Sequence, residues 1–406
     1  FSIKKREFFD DYTHHPTEIK AVIEGARQVY KNRKIVCVFQ PHRYSRVKVL
    51  KNEFATSFRS TDTVVLCPIY SAGEKIKYNF NQSSFSKLIS KKSKIQVVNI
   101  KDQVYSANAY IDSFSIAKAL STGAQIVLAG RVSDPGLVLG PAIYEFNWKK
   151  DDYDKLATGT LAGHILECGA QCSGGNYSDW KNVPNLADVG YPIATLSDNT
   201  NFTVSKDPKS GGLINKYTVI EQVLYEMGDP NRYISPDVVV DFTSFNIKEV
   251  SKDKVEISNV KGYKATDTYK VSINYFNGYK ASSQLTISGP DALEKAKLTS
   301  EIIWKRLKNV GVNFDDTLTE FLGYSSCLGT KIREFNTKNN EVVLRLSVRD
   351  SDKDNIIRFG KELAPVITSG PPGITGFSGG RPRAQEIIAF WPCLINKKHI
   401  KTEVIS

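Results

Sequence analysis

The sequence predicts an α/β protein of two or three domains, and three observations carry that prediction. The chain has 406 residues, enough for more than one hydrophobic core. Short β-branched runs alternate with amphipathic, helix-length stretches along the first hundred residues. Further along, longer alternating strands are followed by amphipathic helices, as in an α+β layer. We therefore expect domains over residues 1–102, 103–250 and 251–406.

The charge of the chain is unevenly distributed. The whole sequence has 55 Lys and Arg against 43 Asp and Glu, a net charge of +12. Residues 1–103 hold 20 of the basic and 9 of the acidic residues, so residues 104–406 are almost neutral. The basic segment lacks the interleaved aromatic residues of a single-strand nucleic-acid binder. Small anionic substrates are therefore the expected partners, and nucleic acid is the alternative that the charge leaves open.

The composition predicts a soluble, cytoplasmic protein. No apolar run approaches the roughly 18 residues that a membrane helix needs, so no membrane partner is expected. The six cysteines form no CxxC pair, and most stand in apolar runs such as Val36-Cys37-Val38, which predicts buried, reduced thiols. The chain begins with Phe1 and its one methionine is Met227, which indicates a fragment of something longer or a translated piece of sequence.

The first segment predicts a small doubly wound domain. A proline at the start of an amphipathic stretch predicts a helix over 16–30, and further helices are expected over 47–58 and 85–90. Continuous β-branched runs predict parallel strands buried on both faces. These runs cover residues 35–39, 63–66 and 95–98.

Two arginines follow the first of these strands. In doubly wound folds, ligands bind at the carboxyl ends of parallel strands, which is where Arg43 and Arg46 stand. Three residues apart in the turn that opens the next helix, they can share one anion through forked donors. A solvated surface pair is the alternative interpretation.

Three motifs in this segment resemble one enzyme family, the UDP-N-acetylmuramate:L-alanine ligases (MurC) of cell-wall peptidoglycan synthesis. They are Asp10-Asp11-Tyr12-Thr13-His14-His15-Pro16-Thr17-Glu18-Ile19, Phe39-Gln40-Pro41-His42-Arg43-Tyr44-Ser45-Arg46 and Ile69-Tyr70-Ser71-Ala72-Gly73-Glu74. The resemblance covers about the first hundred residues and only the last domain of the ligase. It implies a Rossmann-like Mur ligase C-terminal domain, truncated here, with substrate contacts by Tyr12, His14, Arg43 and Arg46.

The same resemblance implies ATP and Mg²⁺ as cofactors of the parent ligases. Their chemistry needs a glycine-rich phosphate loop with a lysine, and no G-x-x-x-x-G-K-[ST] motif occurs in the sequence. The UDP-binding domain of the ligase is also missing from these residues. We therefore expect neither a complete ligase site nor a complete cofactor site in this chain.

Two polar residues follow an apolar run in the middle segment. The run Gln125-Ile126-Val127-Leu128-Ala129 predicts a buried strand whose end delivers Arg131 and Asp134 into a loop. These two side chains could bind substrate, or they could pair with each other to fix the turn.

A helix predicted over 153–170 concentrates reactive side chains on one face. Helical spacing places His164, Glu167, Cys168 and Gln171 together. His164 and Glu167 are therefore a candidate acid/base pair, with internal packing as the alternative. Three of these side chains could ligate zinc, but the sequence offers no fourth ligand, so we predict no metal site.

The last segment predicts an α+β subdomain with a β-hairpin. Alternating runs over 270–275 and 279–287 flank Asn277-Gly278, a common hairpin turn. A helix over 290–307, a strand over 342–348 and a helix over 352–363 complete the layer.

The tail of this layer is rich in glycine and arginine. Gly373 ends the run Ser369-Gly370-Pro371-Pro372-Gly373, and Arg381 and Arg383 follow Gly379-Gly380. Glycines that allow close backbone approach beside two cations suit a phosphate or carboxylate nest. A rigid surface turn explains the same residues equally well.

Five runs of the second segment resemble the AtuA family, named for acyclic terpene utilisation. They begin at Ala129, Ala162, Tyr225, Ser369 and Phe390 and read AGRVSDP, AGHILECGAQ, YEMGDP, SGPPGITG and FWP. The family's amino-terminal portion is absent from the sequence. The resemblance implies a link to branched-chain or terpenoid acid breakdown, with a CoA ester or a related acid as ligand. We expect that ligand between the loop after Ala129 and the glycine-rich tail.

Together the two resemblances indicate a fusion, natural or accidental, of a ligase tail with a domain of acyl-CoA metabolism. Whether the second segment is an enzyme stays open at this point. A noncatalytic binding module is the alternative from another class.

Overall fold

A computed structural model describes residues 2–3, 6–7, 13–67, 69, 82–99, 104–324, 326–327, 340–376 and 380–405. Helices make up 36% and strands 29% of the structure, which confirms the mixed α/β class. The helices are α1 Pro16–Val29, α2 Tyr44–Val49, α3 Lys51–Thr56, α4 Gln82–Ser93, α5 Phe114–Leu120, α6 Gly136–Phe146, α7 Tyr153–Leu166, α8 Lys216–Leu224, α9 Ala292–Asn309 and α10 Lys353–Ser369. The strands are β1 Ser2–Ile3, β2 Arg6–Glu7, β3 Val36–Phe39, β4 Thr63–Leu66, β5 Gln96–Asn99, β6 Val104–Ala109, β7 Pro192–Leu196, β8 Phe202–Lys206, β9 Tyr233–Ile234, β10 Val238–Asp241, β11 Asn246–Ser251, β12 Lys254–Ser258, β13 Lys261–Lys264, β14 Thr268–Ser288, β15 Asp316–Leu322, β16 Glu341–Asp350 and β17 Gln385–Asn396.

The chain divides into two compact units. The first unit holds Phe1–Tyr105 and Asn274–Phe390, and the second unit holds Ser106–Ile273 and Trp391–Ser406.

The amino-terminal part of the first unit contains the predicted parallel sheet. Strands β3, β4 and β5 pair in parallel in that order, and helices α1 to α4 bring Phe54, Phe58 and Phe85 into one core. The prediction that all three strands are buried on both faces is wrong for β3. Its Val36 is 50% exposed and its Val38 is 44% exposed, because β3 is an edge strand and packs against the core with one face.

The second part of the first unit is an antiparallel layer covered by two helices. Strand β16 lies between β14 and β15, and helices α9 and α10 pack their apolar faces on this sheet. The inward residues of α9 include Ala296, Ile303 and Leu307, as the helical spacing predicts.

The predicted hairpin at Asn277-Gly278 is wrong. Strand β14 runs through both residues, and from Tyr279 onward it pairs with β16. A type I′ hairpin turn requires positive φ at both central residues, but here only Gly278 has it, with φ of 86°. A Cβ on Gly278 would lie 2.8 Å from the carbonyl oxygen of Asp350, so the glycine allows the close approach of two strands.

The second unit is built around helix α7. Residues from Leu156 to Ile165 of this helix are all buried, as expected of a helix packed on every side. Two antiparallel sheets lie in this unit, one with the strand order β11-β12-β8-β7 and the other with the order β13-β10-β9. Gly159 and Gly163 lie one turn apart on α7, where side chains would collide with Leu139 and Pro135. The glycines thus set the close packing of α7 on the α6 region.

The buried strand predicted over 125–129 is wrong. These residues form an exposed loop in which Ile126 is 82% and Leu128 is 95% exposed. The apolar composition of this run favours a strand, but a strand also needs a neighbouring strand to hydrogen-bond with, and composition does not specify one. The ladder contact nearest to this loop in sequence is a parallel bridge between Ile111 and Val132.

None of the six cysteines, all of them in described residues, forms a disulfide, and the prediction that they are buried is correct only in part. Cys67 and Cys172 are buried, whereas Cys327 is exposed and the remaining three are half-buried. Within the described ranges, no helix has the length and hydropathy needed to cross a membrane.

Candidate functional site

A cavity of about 600 Å³ opens in the second unit, within the usual range for small-molecule sites. Its walls are mainly apolar and come from α5, α6 and the loop over 125–135. Apolar lining residues include Ile116, Leu120, Val127, Ala129, Leu137 and Pro141. Its polar lining consists of Arg131, Ser133, Asp134, Glu167, Cys168, Tyr225 and Glu226. The structure therefore brings the predicted residues Arg131, Asp134 and Glu167 to one cavity.

Helix α7 ends directly before Glu167, which lines this cavity. The predicted helix over 153–170 is too long, because the observed helix stops at Leu166 with Glu167 as its C-cap. Gly169 has a φ of 57°, a left-handed conformation that helices commonly adopt at their carboxyl ends. Glu167 and Cys168 consequently leave the helix and line the cavity, while His164 stays within it.

His164 lies behind the cavity wall and contacts Glu167 from inside the protein. The imidazole is 1% exposed, and its Nε2 lies 3.2 Å from the carbonyl oxygen of Val223, which assigns the hydrogen to that nitrogen. Its Nδ1 lies 3.1 Å from Oε1 of Glu167. Nδ1 of His164 and Oε2 of Glu167 are both buried without a hydrogen-bond partner.

The surroundings of His164 fix the ring in place. Tyr233 and Phe242 stack on each other at 4.7 Å and flank the imidazole at 5.6 and 5.4 Å between ring centroids. Gln222 donates to the backbone carbonyl of His164 at 3.0 Å. The predicted pair is therefore one cavity-lining carboxylate held by one buried imidazole, and His164 can affect a ligand only through Glu167.

Three carboxylates act on the groups around this end of the cavity. The pKa of Cys168 is raised, first by burial and then by the charges of Glu167, Glu226 and Asp134. A hydrogen bond with Gln222 lowers this pKa but does not cancel the increase. The pKa of Tyr233 is also raised, first by burial and then by the same three carboxylates. Cys168 is consequently held as a thiol, which makes it a poor nucleophile.

Arg131 is engaged by an aromatic neighbour. Its Nη2 donates to the hydroxyl of Tyr110 at 2.8 Å, and its guanidinium lies 4.4 Å from the centre of that ring. The pKa of Tyr110 is lowered, first by a hydrogen bond with Ser272 and then by Arg131. The alternative in which Arg131 pairs with Asp134 to fix the turn is not what the structure shows, because no ion pair joins these two described residues.

The predicted residues of the first segment lie at the carboxyl end of β3. Arg46 Nη1 is 3.4 Å from Nδ1 of His42, and the His42 ring is 5.8 Å from the His14 ring. Arg43 is exposed and precedes α2 with a φ of 66°. Tyr12 lies outside the described residues. His14 and Arg46 thus meet through His42, a residue present in the motif but not selected from the sequence.

The glycine-rich tail belongs to the first unit. Gly373 has a φ of 90°, and its carbonyl oxygen accepts from the backbone nitrogen of Ser288 at 2.9 Å. A Cβ at Gly373 would lie 3.1 Å from Nζ of Lys295, so a cation stands beside this turn. Arg381 and Arg383 are both exposed. The turn is therefore hydrogen-bonded to the end of β14. That these residues bind an anion stays a prediction.

Metal chemistry has no support in the described part of the chain. Across those residues, no three His, Cys, Asp or Glu side chains are grouped to hold an ion.

Comparison with known proteins gives two overlapping family matches. The family model described as "Acyclic terpene utilisation family protein AtuA" matches residues 71–406, and the model described as "Mur ligase, glutamate ligase domain" matches residues 2–131. The two matches overlap over 71–131, so they do not place one sharp junction. Because the first match covers most of the sequence, the chain belongs to the AtuA family.

The curated relatives match the amino-terminal segment. The UDP-N-acetylmuramate--L-alanine ligase of Pelagibacter ubique is 47% identical over 123 residues, which is 30% of this chain and 26% of that protein. The ligase of the same name from Brachyspira hyodysenteriae is 55% identical over 71 residues, 18% of this chain and 15% of the relative. The chain thus spans about a quarter or less of the length of these relatives.

Proposed function

We propose that the second unit binds an acyclic, branched acyl group, presented as a CoA ester or a related acid derivative, in the cavity beside Glu167. The observation that carries this proposal is the apolar-walled cavity whose polar end is one carboxylate backed by a buried imidazole. Apolar walls with a few convergent polar groups are typical of small-molecule sites. The family description adds the acyclic terpene chemistry that such walls would suit.

In this proposal Glu167 is the acid/base group and His164 is its positioning residue. Glu167 lines the cavity, whereas the ring of His164 lies behind it and is only 1% exposed. The Nδ1 of His164 lies 3.1 Å from Oε1 of Glu167, so the buried imidazole limits where this carboxylate can lie. Glu167 could accept or return one proton while a ligand occupies the cavity.

For the first segment we propose a retained anion-contacting surface made by His14, His42 and Arg46. Its basic composition and the proximity of these three side chains support that role. The chain would then be a cytoplasmic fusion of a ligase tail with an AtuA domain. ATP, Mg²⁺ and ligase turnover belong to the complete relatives and are not proposed for this chain.

Filling the cavity tests the proposed ligand site. Leu120→Trp places a larger side chain on α5, where the helix fixes its direction toward the cavity. We expect calorimetric titration with the CoA thioester of 3,7-dimethyloctanoic acid to show one saturable site in the unchanged chain. In the variant, affinity should fall at least tenfold because the ligand and the indole compete for the same volume.

Lys118→Trp is the matched control, since Lys118 is exposed on the same helix and does not line the cavity. It should bind the thioester as the unchanged chain does. Equal binding by the Leu120 variant, or no binding of any branched acyl probe by the unchanged chain, would refute the proposed function.

A further inference from the structure

The polar end of the cavity carries more negative than positive charge. Asp134, Glu167 and Glu226 line it, against one cation, Arg131. The guanidinium of Arg131 is already engaged by Tyr110. Among the ion pairs of the described residues, none joins a lysine or arginine to any of the three carboxylates, and Glu167 is paired with His164 alone. With three carboxylates against one guanidinium, an anionic ligand entering here would meet an excess of like charge.

A second observation concerns the buried polar atoms at this end. The Nδ1 of His164, whose side chain is 2% exposed, points to Glu167 but forms no hydrogen bond. Oε2 of Glu167 is likewise buried without a partner. Oε2 is an acceptor, so an alcohol could donate to it, whereas a ligand carboxylate would add further acceptors and a further negative charge.

The backbone holds Glu226 at this position in an unusual conformation. Its φ is 53°, in the left-handed region that residues with a side chain seldom adopt. Glu226 directly follows Tyr225, the C-cap of α8, and helices commonly end in a left-handed residue at this position. The end of α8 therefore places the third carboxylate at the cavity.

We propose that the cavity admits its ligand in an uncharged form, as an ester, thioester or alcohol, and discriminates against the free carboxylate. This inference rests on the proposed function and narrows its ligand class. It also implies that the phosphates of a CoA ester stay outside the acidic end, so that only the acyl chain and its neutral carbonyl enter. Because Asp134 and Glu226 are exposed, salt should weaken the discrimination by screening their charges.

Three probes with one hydrocarbon chain test the charge preference in the full chain. They are 3,7-dimethyloctanol, the N-acetylcysteamine thioester of 3,7-dimethyloctanoic acid, and the free acid at pH 8. We expect calorimetry at low salt to give a Kd for the free acid at least tenfold weaker than for the two neutral probes, which corresponds to about 1.4 kcal/mol. At high salt the difference should shrink.

Charge-removing variants complete the test. Glu226→Gln with Asp134→Asn should bring the free acid within threefold of the neutral probes, with circular dichroism and thermal unfolding used to show that the fold is intact. Glu145→Gln, an exposed acid of α6 that does not line the cavity, should leave the tenfold difference unchanged.

The possible outcomes separate the two proposals. Equal binding of all three probes, or a difference that persists in the double variant, overturns the inference and leaves the proposed ligand site standing. Tighter binding of the corresponding C10 amine than of the alcohol also overturns it, because the acidic end would then be a cation site. Failure of every probe, together with the CoA thioester, refutes the proposed function itself.

Discussion

Replacing Gly163 by alanine is expected to destabilise the second unit by about 2–3 kcal/mol, as judged from overpacked protein cores. An added Cβ would lie 2.6 Å from Cα and 2.8 Å from Cβ of Pro135, and closer still to the carbonyl oxygen of that residue. These are mainly backbone atoms, which cannot move aside as a flexible side chain could. The better helix propensity of alanine, worth about 1 kcal/mol, does not offset such a collision.

The same substitution should disturb the candidate site. Gly163 precedes His164, and Pro135 follows Asp134, so separating α7 from this loop would displace opposite walls of the cavity. Denaturant unfolding measures the stability effect. Gly25→Ala is the matched control, because Gly25 lies in helix α1 with nothing within 4 Å of its added Cβ. It should gain up to about 1 kcal/mol; a neutral Gly163→Ala would show that the helix packing is looser than described.

Lys206→Met is expected to cost the second unit about 2–3 kcal/mol, since it breaks a buried charged contact. The ammonium group of Lys206, on a side chain only 3% exposed, lies 3.6 Å from Oδ2 of Asp253 and donates to the carbonyl oxygen of Ser210 at 3.0 Å. Asp253 also accepts from the backbone nitrogen of Ile214 at 3.0 Å. Methionine keeps the apolar stem but leaves Asp253 without its counter-charge.

Thermal unfolding at neutral pH measures this effect, with Lys209→Met as the control. Lys209 is exposed a few residues away, and exposed lysines contribute little to stability. An equal loss in both variants would show that the effect arises from charge removal in general, and no loss at Lys206 would contradict the buried pair.

Local sequence patterns correctly predicted those elements whose formation is determined mainly by residues within the element. Helix α1 and helix α9 begin and end close to their predicted bounds, because apolar spacing and terminal residues act within one element. The turn at Asn277-Gly278 and the strand over 125–129 were wrong for the opposite reason. Whether such a run forms a turn or a strand depends on a neighbouring strand, which no local pattern specifies. Residues 277 and 278 lie in a strand that continues to pair with β16, whereas residues 125–129 have no strand beside them in the described part of the chain.

Part of the candidate site was also predictable from local sequence patterns. Arg131, Asp134 and Glu167 were identified as polar residues at the ends of elements, and the structure gathers them at one cavity. Leu120 and Glu226 were not selected, since an exposed acid and a helical leucine have no chemical signature before folding places them together. The quoted run Tyr225-Glu226-Met227-Gly228-Asp229-Pro230 was the signal that could have pointed to Glu226.

A ligand in the proposed cavity beside Glu167 would cover the thiol of Cys168, so the reactivity of this thiol tests whether the cavity is occupied. Cys168 lines the cavity and is half-buried, whereas Cys327 is exposed in the first unit. The measurement is the alkylation rate of each thiol by iodoacetamide, followed by peptide mass spectrometry, with and without saturating 3,7-dimethyloctanol. We expect the probe to slow alkylation at Cys168 at least fivefold and to leave the rate at Cys327 unchanged. An unchanged rate at Cys168, under conditions where calorimetry shows the probe bound, would contradict it.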